Sequence, residues 1–297
     1  MSSHVLPPPV APAELAAPST VVHKFGGTSV ADAERYRHVG GLLRARPESQ
    51  QVTVVSAMKG VTDALIELAQ LAAQGDEGWR EAWHALRARH RGAAVALLGE
   101  QVGDTVEWID ARFEQLSEVL AALTVIGELP REVLDRVQGL GEVFSAQLLG
   151  TYLRACGEDC AVLDARDVLV VGHGELGVDV DWEASADRLA KWRLQHPQTR
   201  VVATGFVARD RNDRITTLGR NGSDYSGAIF AALFNADELH IWTDVDGVLS
   251  ADPRLVPEAV QLESLSYDEA CELAYFGAKV VHPQTMSPAI RLGLPIF

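Results

Sequence analysis

The chain has 297 residues and a mass of 32.1 kDa, with 26 basic and 41 acidic side chains, a formal net charge of −15 and a pI near 5.0. An apolar fraction of 47% and a charged fraction of 23% are globular values that exclude wholesale disorder, and the length suits one large α/β unit or two closely joined halves. So negative a balance argues against nucleic acid or an anionic membrane as the main partner, yet it leaves room for small anions in a pocket whose local field opposes the net charge.

Residues 1–19 are broken repeatedly by proline and lack both a basic start and an unbroken apolar run. They read as a loose, disordered tail and not as a signal peptide. No stretch reaches the roughly 20 apolar residues that span a bilayer, so a cytoplasmic location is expected. Thr20 to Phe25 then reads as a buried strand running into Gly26-Gly27, and Asp32 to Arg44 as a helix. Val52 to Val55 forms a second strand, followed by an amphipathic helix from near Val61.

From Trp79 to Tyr152 the pattern is helical, punctuated by Gly99 to Gly103 and by Pro130. Val106, Ile109, Phe113, Leu116, Leu120 and Leu123 fall on one face at helical spacing, and the block reads as a helical insertion between strands. Short apolar runs return at Ala161 to Leu163, Val168 to Val171, Val201 to Ala203 and Leu239 to Thr243, with a helix predicted over Tyr225 to Phe234. The alternation predicts an α/β fold with a largely parallel sheet covered on both faces. Ser266-Tyr-Asp-Glu269 is a capping box opening a helix to Tyr275. Leu294-Pro-Ile-Phe297 is read as a terminal apolar strand, and as a sign that the native polypeptide continues. Cys156, Cys160 and Cys271 are too few and too scattered for a disulfide framework or a metal site, and are read as reduced thiols.

Of the basic residues only Lys24, Lys59, Lys191 and Lys279 are lysines, and all but Lys191 lie beside glycine turns. A compact ammonium next to exposed backbone N–H groups is what a phosphate chain requires; for any one of them, a solvated lysine near a loop is the alternative. Gly26-Gly27, directly after a strand, lets backbone approach a ligand, although a plain turn has the same signature. In Gly219-Arg-Asn-Gly-Ser-Asp-Tyr-Ser226, Ser223 is a candidate N-cap and Asp224 favours the helix dipole. Arg220, on the same glycine-rich loop, can grip a carboxylate bidentately. Asp244 and Asp246 follow a strand at the edge where open α/β sheets bind ligands, with an Asp-Gly turn as the alternative for Asp246.

Gly172-His-Gly-Glu-Leu-Gly177 fits the G-x-G-x-x-G dinucleotide pattern, but its glycines should open a helix, whereas Val178 to Asp181 reads extended. NAD binding is therefore not expected. Neither a G-x-x-x-x-G-K-[ST] loop nor an H-R-D with D-F-G pair is present.

Taken together, these segments resemble the aspartokinases of the amino-acid kinase family. The resemblance rests on Lys24-Phe-Gly-Gly-Thr-Ser29, Val55-Ser-Ala-Met-Lys-Gly-Val-Thr-Asp63, Gly141-Glu142, the Gly219 to Ser226 loop, Trp242-Thr-Asp-Val-Asp-Gly247, Asp252-Pro-Arg254 and Gly277-Ala-Lys-Val-Val-His-Pro283, in the family's order from about residue 20 onward. Asn221 and the Trp242 run look most like the bifunctional aspartokinase/homoserine dehydrogenases. The resemblance implies an amino-acid kinase fold, an open mainly parallel sheet between helical layers. It also implies an aspartate-binding lobe over about 20–200 and a nucleotide-binding lobe over about 201–297, without the regulatory ACT and dehydrogenase domains.

The implied reaction is attack of the β-carboxylate of L-aspartate on the γ-phosphate of MgATP. Lys24 would neutralise the transferring phosphoryl group, with Asp224 holding it in position. Arg220 would clamp the substrate α-carboxylate and Glu142 receive its ammonium, with Ser56, Thr62 and Ser223 positioning the remainder. Gly26, Gly27, Thr243, Asp244, Arg254 and Lys279 match family ATP contacts. Magnesium would bridge the phosphates with few protein ligands. A homo-oligomer is expected of the full-length protein. A kinase for another amino acid such as glutamate, or a catalytically silent amino-acid-sensing or assembly module, are the alternatives.

Overall fold

The structure is a computed structural model that describes residues 20–174, 177–219, 222–243, 247–251, 256, 258–275 and 283–297. Strand β1 (Thr20–Phe25) is buried along its whole length, as expected of a run flanked by other strands on both sides. Helix α1 (Ala33–Arg44) starts where Asp32 accepts a hydrogen bond from the Arg35 N–H. Strand β2 (Gln50–Val55) and helix α2 (Val61–Ala73) follow.

The inserted block is a helical hairpin, α3 (Gly78–Leu98) and α4 (Gly103–Ile126), joined by a single 3₁₀ turn at Gly99–Val102. Ile109, Phe113, Leu116, Leu120 and Leu123 are its buried stripe, as the spacing predicts, with Val106 packed at the margin. Pro130 precedes α5 (Arg131–Gln138), and α6 (Leu140–Ala155) leads back to the sheet.

Strand β3 (Cys160–Leu163) is followed by the one-turn helix α7 (Ala165–Val168) and strand β4 (Val170–Gly174). The predicted strand at Val168 to Val171 is thus displaced. Asp164 caps a helical turn through the Arg166 N–H, so Val168 closes that turn and pairing starts at Val170. Strand β5 (Gly177–Val180), helix α8 (Trp182–Gln195) and strand β6 (Arg200–Thr204) come next. They are followed by the hairpin β7 (Val207–Asp210) and β8 (Ile215–Thr217), helix α9 (Gly222–Leu233), strand β9 (Glu238–Trp242), and helices α10 (Tyr267–Tyr275) and α11 (Pro283–Leu292).

Among the described residues, five strands form one parallel sheet in the order β3-β6-β2-β1-β9. Residues 295–297 extend it past β9: the Leu239 N–H donates to the Pro295 carbonyl at 3.0 Å and the Ile241 N–H to the Phe297 carbonyl at 2.8 Å. Side chains alternate between two cores. Phe25, Val55 and Val202 face one beneath α1, α2 and α6, while Val22, Val52, Val54, Val201 and Ala203 face the other beneath α8 and α9. The fold is therefore an α/β sandwich of a mainly parallel sheet between helical layers.

A second, mixed sheet, β5-β4-β7-β8, lies apart from the first. It absorbs the G-x-G-x-x-G segment, because Gly172 and Gly174 sit in β4 and Gly177 opens β5 antiparallel to it. The stretch after Gly177 is therefore extended, as the sequence predicts, where a dinucleotide loop would open a helix. The capping box also forms, with the Ser266 N–H 2.7 Å from a Glu269 carboxylate oxygen and the Glu269 N–H 3.2 Å from Ser266 Oγ. No helix among the described residues is long and apolar enough to cross a membrane.

Within the helical layer, His90 is fully buried between Phe113 and Phe144, donating from Nδ1 to the Leu86 carbonyl at 2.7 Å. Burial pushes its pKa down to about 4, against the smaller opposing effect of that carbonyl. A histidine that protonates near 6.5 when unfolded and only near 4 when folded supplies stability above pH 6.5 and loses it as pH falls between those values. Replacing His90 with Leu is therefore expected to flatten the fall in stability from pH 7 to pH 4 by up to about 3 kcal/mol. Urea denaturation of both proteins at the two pH values measures this; parallel declines would refute a neutral buried imidazole.

Candidate active site

The carboxyl ends of β1, β2 and β6 are tied in one row. The Ser56 N–H donates to the Phe25 carbonyl at 3.1 Å and the Gly205 N–H to the Val55 carbonyl at 2.9 Å. The turns after these strands therefore gather at one sheet edge, where α/β folds place their ligands. The Gly26-Gly27 turn approaches the β2 loop so closely that a Cβ on Gly27 would lie 2.8 Å from the Ala57 carbonyl oxygen. The Lys59 N–H donates to the Gly27 carbonyl at 3.0 Å, and Arg89 on α3 holds the Lys59 carbonyl at 2.8 Å.

Lys24 is 8% exposed near the end of the central strand. Helix α9 crosses directly over its stem, because a Cβ on Gly227 would sit 3.2 Å from Lys24 Cβ. Asp224, three residues earlier and so nearly one turn back on the same face, places Oδ1 2.5 Å from Lys24 Nζ. The two ends of this pair come from positions two hundred residues apart in the chain. Asp224 Oδ1 accepts no hydrogen bond of regular geometry, so the contact is an ion pair through space.

Beside the pair opens a cavity of about 390 Å³ lined by Gly27, Ser56, Lys59, Thr62, Glu142 and Ser223, among others. Ser56 and Thr62 come from the β2 loop and the first turn of α2, and Ser223 from the first turn of α9. Ser223 lies inside that helix, which starts at Gly222, so it is the second helical residue and not the N-cap that the sequence predicts. Glu142 enters from the first turn of α6 and is 4% exposed.

Burial pushes the Glu142 carboxyl up to about 8, only partly opposed by hydrogen bonds from the backbone N–H groups of Ala57 and Glu142 itself. Its Oε2 has no partner in the structure. An acid buried at the wall of a polar cavity with an unused acceptor is an open seat for a cation.

The structure thus brings together Lys24, Asp224, Gly26, Gly27, Ser56, Thr62, Glu142 and Ser223. Thr243 follows β9, whose Trp242 pairs with Phe25, so it lies at the same sheet edge one strand over from Lys24, exposed to solvent. Gly219 and Gly222, which flank Arg220, both line the cavity; Arg220 itself, Asp244, Arg254 and Lys279 lie outside the described residues. Phe206 also lines the cavity and was not marked by the sequence, where an aromatic in a short strand connection carries no distinguishing signal. Among the described residues, no group of three or more His, Cys, Asp or Glu side chains is placed to hold a metal ion.

Comparison with known proteins gives the site its context. Residues 19–297 match the model of the amino acid kinase family. The chain is 42% identical over 280 residues to the chloroplastic bifunctional aspartokinase/homoserine dehydrogenase 1 of Arabidopsis thaliana, covering 94% of this chain and 31% of that protein. It is 37% identical over 276 residues to bifunctional aspartokinase/homoserine dehydrogenase 2 of Escherichia coli, covering 93% of this chain and 34% of that protein. The chain spans about a third of the length of these curated relatives.

Among solved structures, Escherichia coli aspartokinase III, described in complexes with lysine and aspartate and with aspartate and ADP, superposes with a TM-score of 0.83 at 31% identity. That match covers 94% of this chain and 61% of the aspartokinase III chain. With its parallel sheet, its glycine turns and its lysine–aspartate pair arranged as described, the chain belongs to the amino acid kinase family.

Proposed function

We propose that the protein is an aspartate kinase that transfers the γ-phosphoryl group of ATP to the β-carboxylate of L-aspartate. The observation that carries this reading is the Lys24–Asp224 pair beside a polar cavity whose lining includes Glu142, with its Oε2 unsatisfied. A carboxylate nucleophile is ionised at neutral pH, its reference pKa being about 3.9, so no general base is required. The obstacle is the approach of two anions, which fixed cations and backbone amides overcome.

One β-carboxylate oxygen of aspartate forms a bond to the γ-phosphorus as the bond from that phosphorus to the bridging oxygen breaks. The electron pair leaves with ADP, and 4-phospho-L-aspartate remains. Lys24 supplies positive charge at the transferring group, and Asp224 fixes the direction of its ammonium. Glu142 receives the α-ammonium and Arg220 the α-carboxylate, while Ser56, Thr62 and Ser223 offer hydroxyl contacts between them. Gly26, Gly27, Thr243, Asp244, Arg254 and Lys279 serve the nucleotide.

Magnesium carried on the phosphate oxygens would lower their charge, and that mode needs few protein ligands. A division into an aspartate lobe, about 20–200, and a nucleotide lobe, about 201–297, belongs to the same reading, and it is supported by a cavity lined by residues from both ranges, Ser56 and Ser223 among them. A homo-oligomer in the full-length protein and a cytoplasmic location belong to the same proposal.

An ADP-release assay with aspartate, with glutamate and with no amino acid tests it. ADP formed with aspartate well above both other arms is the expected result. Equal rates in all three arms would refute an amino-acid acceptor, and a preference for glutamate would refute the assignment of aspartate.

A further inference from the structure

A second cavity, of about 220 Å³, lies between α4, α5 and α7 and shares no lining residue with the first. Its charged lining is Arg112 from α4, Arg136 from α5 and Arg166 from α7, set around apolar side chains that include Leu140. Among the described residues no Asp or Glu lines it. In a chain of net charge −15 that is an unusual concentration of one sign.

Two of the three guanidinium groups are held in place by other contacts. Arg112 lies over the Trp108 ring, 5.3 Å from its centroid, and donates to the Gln115 side chain at 3.1 Å. Arg166 is gripped by both oxygens of Asp164, with Nε 2.9 and 3.0 Å from them. Among the described residues, neither Arg112 nor Arg136 pairs with a carboxylate. Asp164 neutralises one of the three positive charges, which leaves two facing a space the size of a small metabolite.

We propose that this cavity binds a small multiply charged oxyanion, a phosphate or polycarboxylate group, through Arg112, Arg136 and Arg166. Fixed planar guanidiniums suit oxyanions because their N–H groups match pairs of oxygens and lose little freedom on binding. The site is distinct from the catalytic one. Leu140 lines it and Glu142 lines the first cavity, and residues two apart on a helix point about 200° away from each other. The two cavities therefore flank the first turn of α6, so a bound anion would press on the turn that carries Glu142.

Isothermal titration with inorganic phosphate and, separately, with citrate tests the assignment. It is done on the full 297-residue chain and on its Lys24→Ala variant, which weakens anion binding at the catalytic site. The expected result is binding of at least one of the two anions that persists in Lys24→Ala and weakens about tenfold or more in Arg136→Gln and in Arg112→Gln. Which anion binds more tightly then identifies the ligand class. Arg136 is exposed, so its substitution leaves the core untouched, and thermal melts verify this. No binding of either anion, or binding lost in Lys24→Ala and unchanged in both arginine variants, would overturn the proposal.

Discussion

Lys24→Ala is expected to lower kcat for phosphoryl transfer by about a thousandfold or more, the scale seen when one preorganised donor to a developing charge is removed. The size follows from where the ammonium sits. It is nearly buried at the end of the central strand, so its field is screened far less than that of a surface lysine, and it is aimed by Asp224 from 2.5 Å.

The fold is expected to survive the change. Lys24 contributes one side chain to a strand otherwise filled by Val21, Val22 and Phe25, and the Asp224 side chain is 26% exposed, so water can solvate it once its partner is gone. Lys24→Arg is expected to be nearly as inactive, because the stem is confined by α9 at Gly227 and the larger head cannot occupy the same point. Turnover by ADP release, with circular dichroism melts run in parallel, measures all of this. A kcat within tenfold of wild type in a folded Lys24→Ala protein would remove the lysine from the reaction.

Much of this arrangement is legible in the chain, and what is not has a physical reason. Strands that are buried on both faces, such as Thr20–Phe25 and Arg200–Thr204, announce themselves by short apolar runs at their centres, Val21-Val22 and Val201-Val202-Ala203. Asp32 and the Ser266 box mark helix starts because their side chains satisfy N–H groups that the helix cannot.

The small sheet is less visible. Val207–Asp210 and Ile215–Thr217 are short and half polar, and their pairing is dictated by a turn in which Asp210 accepts from the N–H groups of Asn212 and Arg214. Val168 looks like strand until Asp164 is seen to cap the turn that contains it. For the site, glycine turns beside lysines identify the loops, but no local pattern brings residue 24 to residue 224. That closure is made by β1 lying centrally in the sheet and by the absence of a side chain at Gly227, which sets how closely α9 crosses. Glu142 is the clearest case of a residue that local pattern leaves ambiguous. An acid in the first turn of a helix is ordinarily a dipole partner at the surface, and only the packing of α6 against the β2 loop turns it inward.

That inward position gives Glu142 the second large effect. With its carboxyl pushed up to about 8 by burial, the empty site holds it mostly protonated at neutral pH. In the proposed reaction the substrate ammonium would pair with the ionised form, so aspartate binding would expel a proton. The apparent KM for aspartate is therefore expected to fall as pH rises from 6.5 to about 8, by up to about tenfold per pH unit, and to level off above that. Glu142→Gln keeps the shape and removes the charge. It is expected to raise KM about a hundredfold at pH 8, in keeping with a lost buried ion pair, and to flatten the pH profile.

The effect on stability has the opposite sign along the same axis. A carboxyl whose pKa is raised from 4.5 to about 8 on folding contributes stability that is complete below 4.5 and lost as pH rises through about 8. Thermal melts of the wild-type protein should then show aspartate stabilising it more at pH 8.5 than at pH 6.5, a difference absent from Glu142→Gln. A purely structural Glu142 would give the variant a lower melting temperature while leaving the slope of KM against pH unchanged, so the slope decides whether this buried acid meets the substrate.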